Sequence, residues 1–320
     1  MTRTAPWFTA LCICILEFGC AHDADEPSHD KHPASNAMDD ASIDAGSPEP
    51  DAQVAREPVD QTPPTGANGL AFDAAGKLWI ADLFGKQVLR VDPGSGEILA
   101  RFNENASGPD DVAIDERGRV FWTDWPSGKV GRIDPKTGQN EIIATLPTGA
   151  NSIAFNADGR LFVGLVILNR GLYELDPEGM REPQLVTAAI GSFNAFEFGP
   201  DGFLWGPVDG AVTKLKPEGG EVVETITMPG YASVRYGERE RALFAVANGK
   251  QGMPPRLDKI DPDDHSVTQF AEVQLASIDN FMIGPTGEFF VTAFDQPQFA
   301  VIHADGSAGA VVKIGAESAP

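Results

Sequence analysis

The stretch Asn68-Gly-Leu-Ala-Phe-Asp-Ala-Ala-Gly-Lys-Leu-Trp-Ile-Ala-Asp82 contains two short apolar runs separated by a turn that closes on Gly76. Two more runs follow it, Val88-Leu-Arg-Val91 and Ile98-Leu-Ala-Arg-Phe102, each bounded by turn residues. Runs of this length and composition between such turns are typical of antiparallel strands. The segment therefore predicts a unit of four consecutive strands.

The four-strand unit occurs six times along the chain. The copies can be aligned on one turn residue each, at spacings of 42, 41, 43, 38 and 47 residues: Gly76, Gly118, Gly159, Gly202, Glu240 and Gly287. Four short antiparallel strands at a period of about 42 residues are typical of a β-propeller blade. We therefore predict an all-β fold, a six-bladed β-propeller with four-stranded antiparallel blades over residues 64–320, and no second domain.

The sequence before the repeats indicates export. Residues 1–20 contain an early charge at Arg3, an apolar run too short to span a bilayer, and Gly19 before Cys20, which predicts a signal peptide. Residues 21–63 are rich in Asp, Ala, Pro and Ser and predict a disordered acidic tether. All three cysteines lie in the first twenty residues, so the repeats contain no disulfide and no thiolate site.

The charge of the chain limits its partners. Asp and Glu number 47 against 24 Lys and Arg, a formal net charge of -23. Such a chain repels the phosphate backbone, which argues against a nucleic-acid partner.

Polar residues recur eight positions before the aligned turn residues. Five of the six positions carry a side-chain oxygen: Asn68, Asp110, Asn151, Asn194, Ala232 and Asp279. This position opens the first strand of each repeat, which is innermost in a propeller, so we expect the side chains to converge on the central channel. Oxygen donors without His or Cys suit calcium, or else magnesium. The alternative is that these residues form side-chain to backbone turns where strands begin.

Further candidate residues surround this ring. Asp111 and Asn280 adjoin two of its members, and Glu197 and Arg235 occupy one register of neighbouring repeats. We predict an ion pair between Glu197 and Arg235, and the alternative is that Arg235 binds a substrate carboxylate. Two residues in loops between second and third strands should line the mouth of the site and contact the substrate, namely Trp125 and Arg170.

The segments Gly66–Trp79 and Asn151–Phe162 resemble the SMP-30/gluconolactonase-like family of six-bladed propellers, and similar blades occur in NHL-repeat and streptogramin lyase-like proteins. The resemblance implies a divalent metal at the axis, held by carboxylate and asparagine side chains from several blades. Carried over to this chain, it implies metal ligands at Asn151, Asn194, Asp279 and Asn280, a substrate-facing Asn68, and Asp110 or Asp111 as the base. The pair Asp279-Asn280 also looks like part of the paraoxonase-type calcium site.

Two other resemblances bear on function. Leu16-Glu-Phe-Gly-Cys20 resembles the bacterial lipoprotein signal, which implies a lipid on Cys20 and attachment to the cell envelope, with simple secretion as the alternative. Phe121-Trp-Thr-Asp124 looks like the YWTD blade of lipoprotein receptors, which are binding modules.

Three functions remain open at this stage. The first is an exported, metal-dependent hydrolase of the lactonase or esterase type acting on a lactone or similar ester. The repeats contain only His265 and His303, both near third strands, so hydrolysis there would need a metal and a carboxylate base. The second is a non-catalytic module that binds an envelope protein or glycan with its top face. The third is a streptogramin-type lyase.

Overall fold

The structure is a computed structural model, and it describes residues 58–227, 230–248 and 254–315. The predicted signal peptide, Cys20 and most of the predicted tether lie outside the described residues. The compact unit that contains the repeats is formed by residues 56–320. Within the described ranges, no helix is long and apolar enough to cross a membrane.

The first three blades are formed by twelve consecutive strands. Blade 1 consists of β1 (Leu70–Phe72), β2 (Leu78–Asp82), β3 (Gln87–Val91) and β4 (Ile98–Phe102). Blade 2 consists of β5 (Pro109–Ile114), β6 (Val120–Asp124), β7 (Lys129–Ile133) and β8 (Asn140–Thr145). Blade 3 consists of β9 (Ala150–Phe155), β10 (Leu161–Leu165), β11 (Gly171–Leu175) and β12 (Gln184–Thr187).

The other three blades follow the same order. Blade 4 consists of β13 (Glu197–Phe198), β14 (Leu204–Val208), β15 (Ala211–Leu215) and β16 (Val222–Thr225). Blade 5 consists of β17 (Tyr231–Gly237), β18 (Ala242–Ala247), β19 (Arg256–Ile260) and β20 (Val267–Glu272). Blade 6 consists of β21 (Ile278–Ile283), β22 (Phe289–Ala293), β23 (Gln298–Ile302) and β24 (Ala308–Lys313). The predicted all-β, six-bladed propeller is confirmed.

The aligned turn residues owe their recurrence to backbone conformation. In five blades the residue is a glycine with φ between 70° and 94°, the left-handed region that side chains disfavour: Gly76, Gly118, Gly159, Gly202 and Gly287. In blade 5 Glu240 takes this place, and the left-handed residue is Arg241, with φ of 50°. Every blade thus has a left-handed residue in the turn between its first and second strands. The blade 5 turn is shorter, because Gly237 pairs with Ala242 there whereas Phe72 pairs with Leu78 in blade 1.

The core lies between neighbouring blades, where aromatic side chains from adjacent sheets meet. Phe121 and Phe155 join blades 2 and 3 with ring centroids 5.1 Å apart, and Phe162 and Phe198 join blades 3 and 4 at 5.3 Å. The second-strand tryptophans are buried in this packing: Trp79, Trp122 and Trp205. Burial of such rings stabilises the packing of neighbouring blades.

Buried aspartates at the ends of two second strands hold the segments that lead into the first strands. The Asp82 carboxylate accepts hydrogen bonds from the backbone N–H groups of Gly66 at 3.1 Å and Gly85 at 2.9 Å. The Asp124 carboxylate accepts one from the N–H of Gly108 at 2.8 Å. In the Phe121–Asp124 motif, Asp124 therefore has a structural role within its own blade.

Blades 6 and 1 meet without sharing a strand. Phe299 and Ile314 of the last repeat belong to one apolar cluster with Leu70 and Ile80 of blade 1. The N–H of Gly315 donates to the carbonyl of Gly96 at 2.9 Å. Side-chain packing and a few hydrogen bonds therefore close the ring.

The segment before the first strand also packs on blade 1. The Gln61 side chain accepts from the N–H of Ile98 at 3.0 Å and donates to its carbonyl at 2.8 Å. Val59 lies partly buried against the same apolar cluster. Ordered contacts therefore begin a few residues before the predicted end of the tether at residue 63.

Candidate functional site

The ring positions lie at the same end of the first strands. Asp110, Asn151 and Asp279 lie in β5, β9 and β21, while Asn68 precedes β1. Asn194 lies outside a strand, because blade 4 begins irregularly: Phe193 makes an isolated bridge and only two residues form β13. The predicted strand-opening position is thus regular in three of the five polar members.

Asn68 and Asp110 contact each other across blades 1 and 2. The Asn68 amide nitrogen Nδ2 donates to Asp110 Oδ1 at 3.0 Å. Both side chains are buried, as is that of Asn151, whereas Asn194 and Asp279 are partly exposed. The ring therefore has a buried side on blades 1 to 3 and a more open side on blades 4 and 6.

The ring concentrates negative charge. Burial raises the pKa of Asp110 well above its usual value, the charges of Asp279, Asp111 and Asp124 raise it further, and the hydrogen bond from Asn68 opposes them. Burial also raises the pKa of Asp279 to about 6. These carboxylates are costly to ionise together unless a cation joins them.

A second polar layer adjoins the ring, and we call its residues Asp111, Asn280 and Arg235 the channel belt. Asn280 Nδ2 donates to Asp111 Oδ1 at 3.3 Å, and Arg235 Nη2 donates to Asn280 Oδ1 at 2.9 Å. Arg235 Nη1 reaches the carbonyl of Ala195 at 3.1 Å. The channel belt therefore links blades 2, 6, 5 and 4 by hydrogen bonds.

The channel belt is deeply buried. Asp111 is 1% exposed, and Asn280 and Arg235 are each 4% exposed. Burial raises the pKa of Asp111 to about 6, while the Arg235 charge and the N–H of Val112 hold it down. Asp111 Oδ2 is buried and has no hydrogen-bond partner. The positive charge that acts on Asp111 within the channel belt is that of Arg235.

Gly69 allows Asp111 to reach Asn280. Gly69 lies in blade 1, between the blades that carry the other two residues. A Cβ atom placed on it would lie 2.1 Å from Asp111 Oδ1 and 2.7 Å from the carbonyl oxygen of Asp110. No side chain fits there, since the second contact is to backbone.

We expect Gly69→Ala to lower the free energy of unfolding by about 1–3 kcal/mol, because the new methyl group must displace the neighbouring strand. The check is urea denaturation followed by circular dichroism. Gly94→Ala is the control, because its Cβ would meet nothing closer than 3.4 Å and its φ lies outside the left-handed region. Equal losses in the two variants would contradict the close approach at Gly69.

The predicted ion pair between Glu197 and Arg235 is wrong. Glu197 Oε2 accepts from the backbone N–H of Tyr236 at 2.7 Å, and Arg235 donates to carbonyls and to Asn280. No salt bridge joins the two side chains, both of which the structure describes. The physical reason is that the Arg235 guanidinium donates to nearby backbone carbonyls, and these acceptors take the place predicted for the Glu197 carboxylate. Substrate binding by Arg235 stays a prediction.

The other predicted substrate contacts lie in the loops after second strands. Trp125 follows β6 and is buried, and Arg170 precedes β11 and is exposed. Pro109 at the start of β5 pairs with Asp124 at the end of β6, so the Trp125 loop lies at the ring end of its blade. Contact of Trp125 and Arg170 with a substrate stays a prediction.

The channel belt was not recognised from the sequence as a connected layer. Its signal is the position seven residues before the aligned turn residues, which is polar in four repeats of six: Gly69, Asp111, Ser152, Ala195, Ser233 and Asn280. Two threonines were also missed. Thr292 Oγ1 donates to the carbonyl of Asn68 at 2.6 Å, and Thr123 Oγ1 donates to that of Asn151. They fix the backbone of two ring residues.

The donor chemistry of the site fits a hard divalent cation. Among the described residues, no three Asp, Glu, His or Cys side chains are grouped as metal ligands. Amide oxygens at Asn151 and Asn194 and the carboxylate of Asp279 are nonetheless ligand types that calcium accepts. The unpartnered Asp111 Oδ2 leaves a buried negative atom for a cation to balance. Asn280 Oδ1 has less capacity, since it already accepts from Arg235 and from the N–H of Phe281.

Six four-stranded blades around an acidic channel define the chain as a six-bladed β-propeller with a polar axial site. No protein-family model matches the sequence. No curated protein matches it either.

Solved structures resemble it over most of their length. Virginiamycin B lyase from Staphylococcus aureus is 17% identical, with a TM-score of 0.58 over 79% of this chain and 86% of that one. Regucalcin from Agrobacterium tumefaciens, a calcium-binding protein, is 16% identical, with a TM-score of 0.58 over 77% of this chain and 85% of that one. A putative gluconolactonase is 13% identical, with a TM-score of 0.56 over 74% and 89%. The resemblance to the SMP-30/gluconolactonase-like and streptogramin lyase-like propellers is confirmed for the fold.

Proposed function

We propose that the protein is an exported, metal-dependent hydrolase that opens a lactone or similar ester at the axial site, with calcium as the metal. The observation that carries the proposal is the buried acidic centre, in which Asp110 lies near Asp279 and Asp111 and Asp111 Oδ2 has no partner. Such a centre is unfavourable alone and is stabilised by a divalent cation. Calcium binding in regucalcin, a protein of the same fold, supports the choice of metal.

In this proposal Asn151, Asn194 and Asp279 hold the ion, which would polarise the substrate carbonyl. Asn280 adjoins them, fixed by Arg235 and Asp111. Asn68 orients the Asp110 carboxyl and faces the substrate.

The base is one of the two adjacent carboxylates. With a pKa of about 6, Asp111 is mostly ionised at pH 7 and can accept a proton from water. Burial and the charges of Asp279, Asp111 and Asp124 raise the pKa of Asp110 well above its usual value, so a bound cation would favour its ionised form. Either Asp110 or Asp111 can serve as the base in this proposal, and the unpartnered Asp111 Oδ2 favours Asp111.

Location at the cell envelope through a lipid on Cys20, with secretion as the alternative, is part of the same proposal. It rests on the signal-like sequence at residues 1–20. A lipid there would be the only membrane attachment that the proposal requires.

The test is an assay of the protein against a panel of lactones and aryl esters with calcium, magnesium or chelator. We expect turnover that chelator abolishes, and Asp279→Ala should lower kcat/KM by about 100-fold or more, since it removes an anionic ligand. Ser152→Ala is the matched control, because Ser152 adjoins Asn151 while its Oγ donates to the carbonyl of Phe193 at 2.8 Å. It should keep activity within a few-fold.

Two results would redirect the proposal. Absence of calcium binding by calorimetry, together with no turnover, would favour the non-catalytic module that binds an envelope protein or glycan. Ring opening that gives an unsaturated product without incorporation of water would favour a lyase of the streptogramin type. The placement of the described histidines weighs against the lyase: His265 pairs with Glu224 at 3.2 Å beyond β19, and His303 is exposed beyond β23.

A further inference from the structure

A pocket of about 350 Å³ opens at the opposite end of the first strands from the ring. It lies between the β17–β18 and β21–β22 turns, with β13 at its floor. Its lining includes the charged Glu197 from β13, the charged Arg235, Glu238 and Arg239 from β17 and the turn after it, and the apolar Met282 and Pro285 from β21 and the turn after it. Of the residues assigned to the proposed hydrolase site, only Arg235 also lines this pocket.

The pocket has carboxylates in excess of available cations. Arg235 donates its Nη groups to Ala195, Val234 and Asn280, so its charge acts on Glu197 without a direct ion pair. Arg239 is already paired with Glu240 at 3.0 Å. No salt bridge among the described residues includes Glu197 or Glu238.

Glu197 is held in place at the floor of the pocket. Its Oε2 accepts from the N–H of Tyr236 at 2.7 Å, which fixes the carboxylate against β17. The side chain is partly buried, and burial raises its pKa, while the charge of Arg235 and the N–H of Tyr236 oppose that rise without cancelling it. A further positive charge nearby would therefore still favour the ionised carboxylate. The carboxylate is therefore preorganised for a cation.

The rest of the lining indicates what kind of cation fits. Met282, Ile283 and Pro285 offer apolar surface beside the carboxylates. A metal ion needs several oxygen ligands in one compact group, which the described residues do not provide here. An ammonium group on an alkyl chain matches both parts, and the volume is at the lower end of small-molecule pockets.

We propose that this pocket is a second ligand site, which binds an alkylammonium compound with its cationic group on Glu197 and its methylene groups against Met282 and Pro285. The buried Arg235 separates the pocket from the axial ring, so the site does not depend on the proposed hydrolase activity. The net charge of -23 favours the approach of such a ligand.

The test is calorimetric titration of the full-length protein with 1,5-diaminopentane, with 1,5-pentanediol as the uncharged probe of the same length. We expect the diamine to bind and the diol not to bind. Glu197→Gln should weaken diamine binding by about tenfold or more, because the amide can still accept from Tyr236 but carries no charge. Glu238→Gln should weaken it to a lesser degree.

Two control variants separate this site from other acidic surfaces. Glu272→Gln removes an exposed carboxylate at the end of β20, and Asp279→Asn removes a carboxylate of the axial ring. Both should keep the diamine affinity of the wild type. No diamine binding, equal binding of the diol, or equal affinity in Glu197→Gln would overturn the proposal. A loss only in Asp279→Asn would move the binding to the axial site, which also overturns it.

Discussion

Replacing Arg235 with leucine is expected to lower the free energy of unfolding by about 3–5 kcal/mol, the usual cost of removing one partner of a buried charged network. Arg235 Nη1 donates to the carbonyls of Val234 and Ala195, and Nη2 donates to Asn280. Its loss removes these three buried hydrogen bonds, although the Ala195 carbonyl keeps the N–H of Val234 and Asn280 Oδ1 keeps that of Phe281. Asp111 also loses the positive charge that opposes its high pKa. Chemical denaturation with two spectroscopic probes measures the change.

Arg117→Leu is the control for this prediction. Arg117 pairs with Glu178 at 3.1 Å, but 73% of its side chain is exposed, so we expect a change of less than about 1 kcal/mol. Arg235→Lys keeps the charge and loses the forked geometry, and should fall between the two. If Arg235→Leu costs no more than Arg117→Leu, the channel belt does not stabilise the fold.

Asp110→Asn is expected to raise the free energy of unfolding at pH 8, without calcium, by at least about 1 kcal/mol. Asn68 can still donate to the new amide oxygen, while the charge that burial disfavours is gone. The same variant should lose activity if Asp110 takes part in the reaction. Gain of stability with loss of activity is expected where a site holds an unfavourable charge.

The sign of this effect depends on pH. The folded pKa of Asp110 lies above its unfolded value of 3.8, so the folded state binds more protons in the interval between them and wild-type stability falls as pH rises. The advantage of Asp110→Asn should therefore vanish near pH 4. Asp92→Asn is the control of opposite sign, because hydrogen bonds lower the pKa of Asp92 to about 2. An equal gain for Asp110→Asn at pH 4 and pH 8 would contradict the electrostatic origin.

The repeated features of the molecule could be predicted from the sequence. The aligned glycines mark a left-handed turn that each blade needs, so their spacing gives the number of blades. The same alignment identifies Asn68 and Asp110, which do contact each other. Both inferences depend on position within a repeat, which symmetry relates directly to position in space.

Contacts that depend on distances between blades could not be predicted in this way. Glu197 and Arg235 occupy the same position in neighbouring repeats, but this says nothing about the backbone groups near each side chain. Both side chains form hydrogen bonds with those backbone groups instead of an ion pair with each other. The hydrogen bond between Asn280 and Asp111 requires that Gly69 has no side chain, and the repeat pattern does not reveal this requirement. Asn194 departs from the regular register because β13 is short.

The closure of the ring between blades 6 and 1 affects how the chain can fold during synthesis. Thr292 and Asn68, which join blades 6 and 1, are 224 residues apart in sequence, and the apolar surface around Leu70 and Ile80 is completed by Ile314. During synthesis that surface on the first blade is expected to stay exposed to solvent until the last repeat has been made. Contacts of such long sequence separation are expected to slow folding, so we expect the docking of blade 6 on blade 1 to be a late step. Blade 1 is therefore the blade whose apolar surface is exposed for the longest time to binding by a chaperone or to aggregation with another chain.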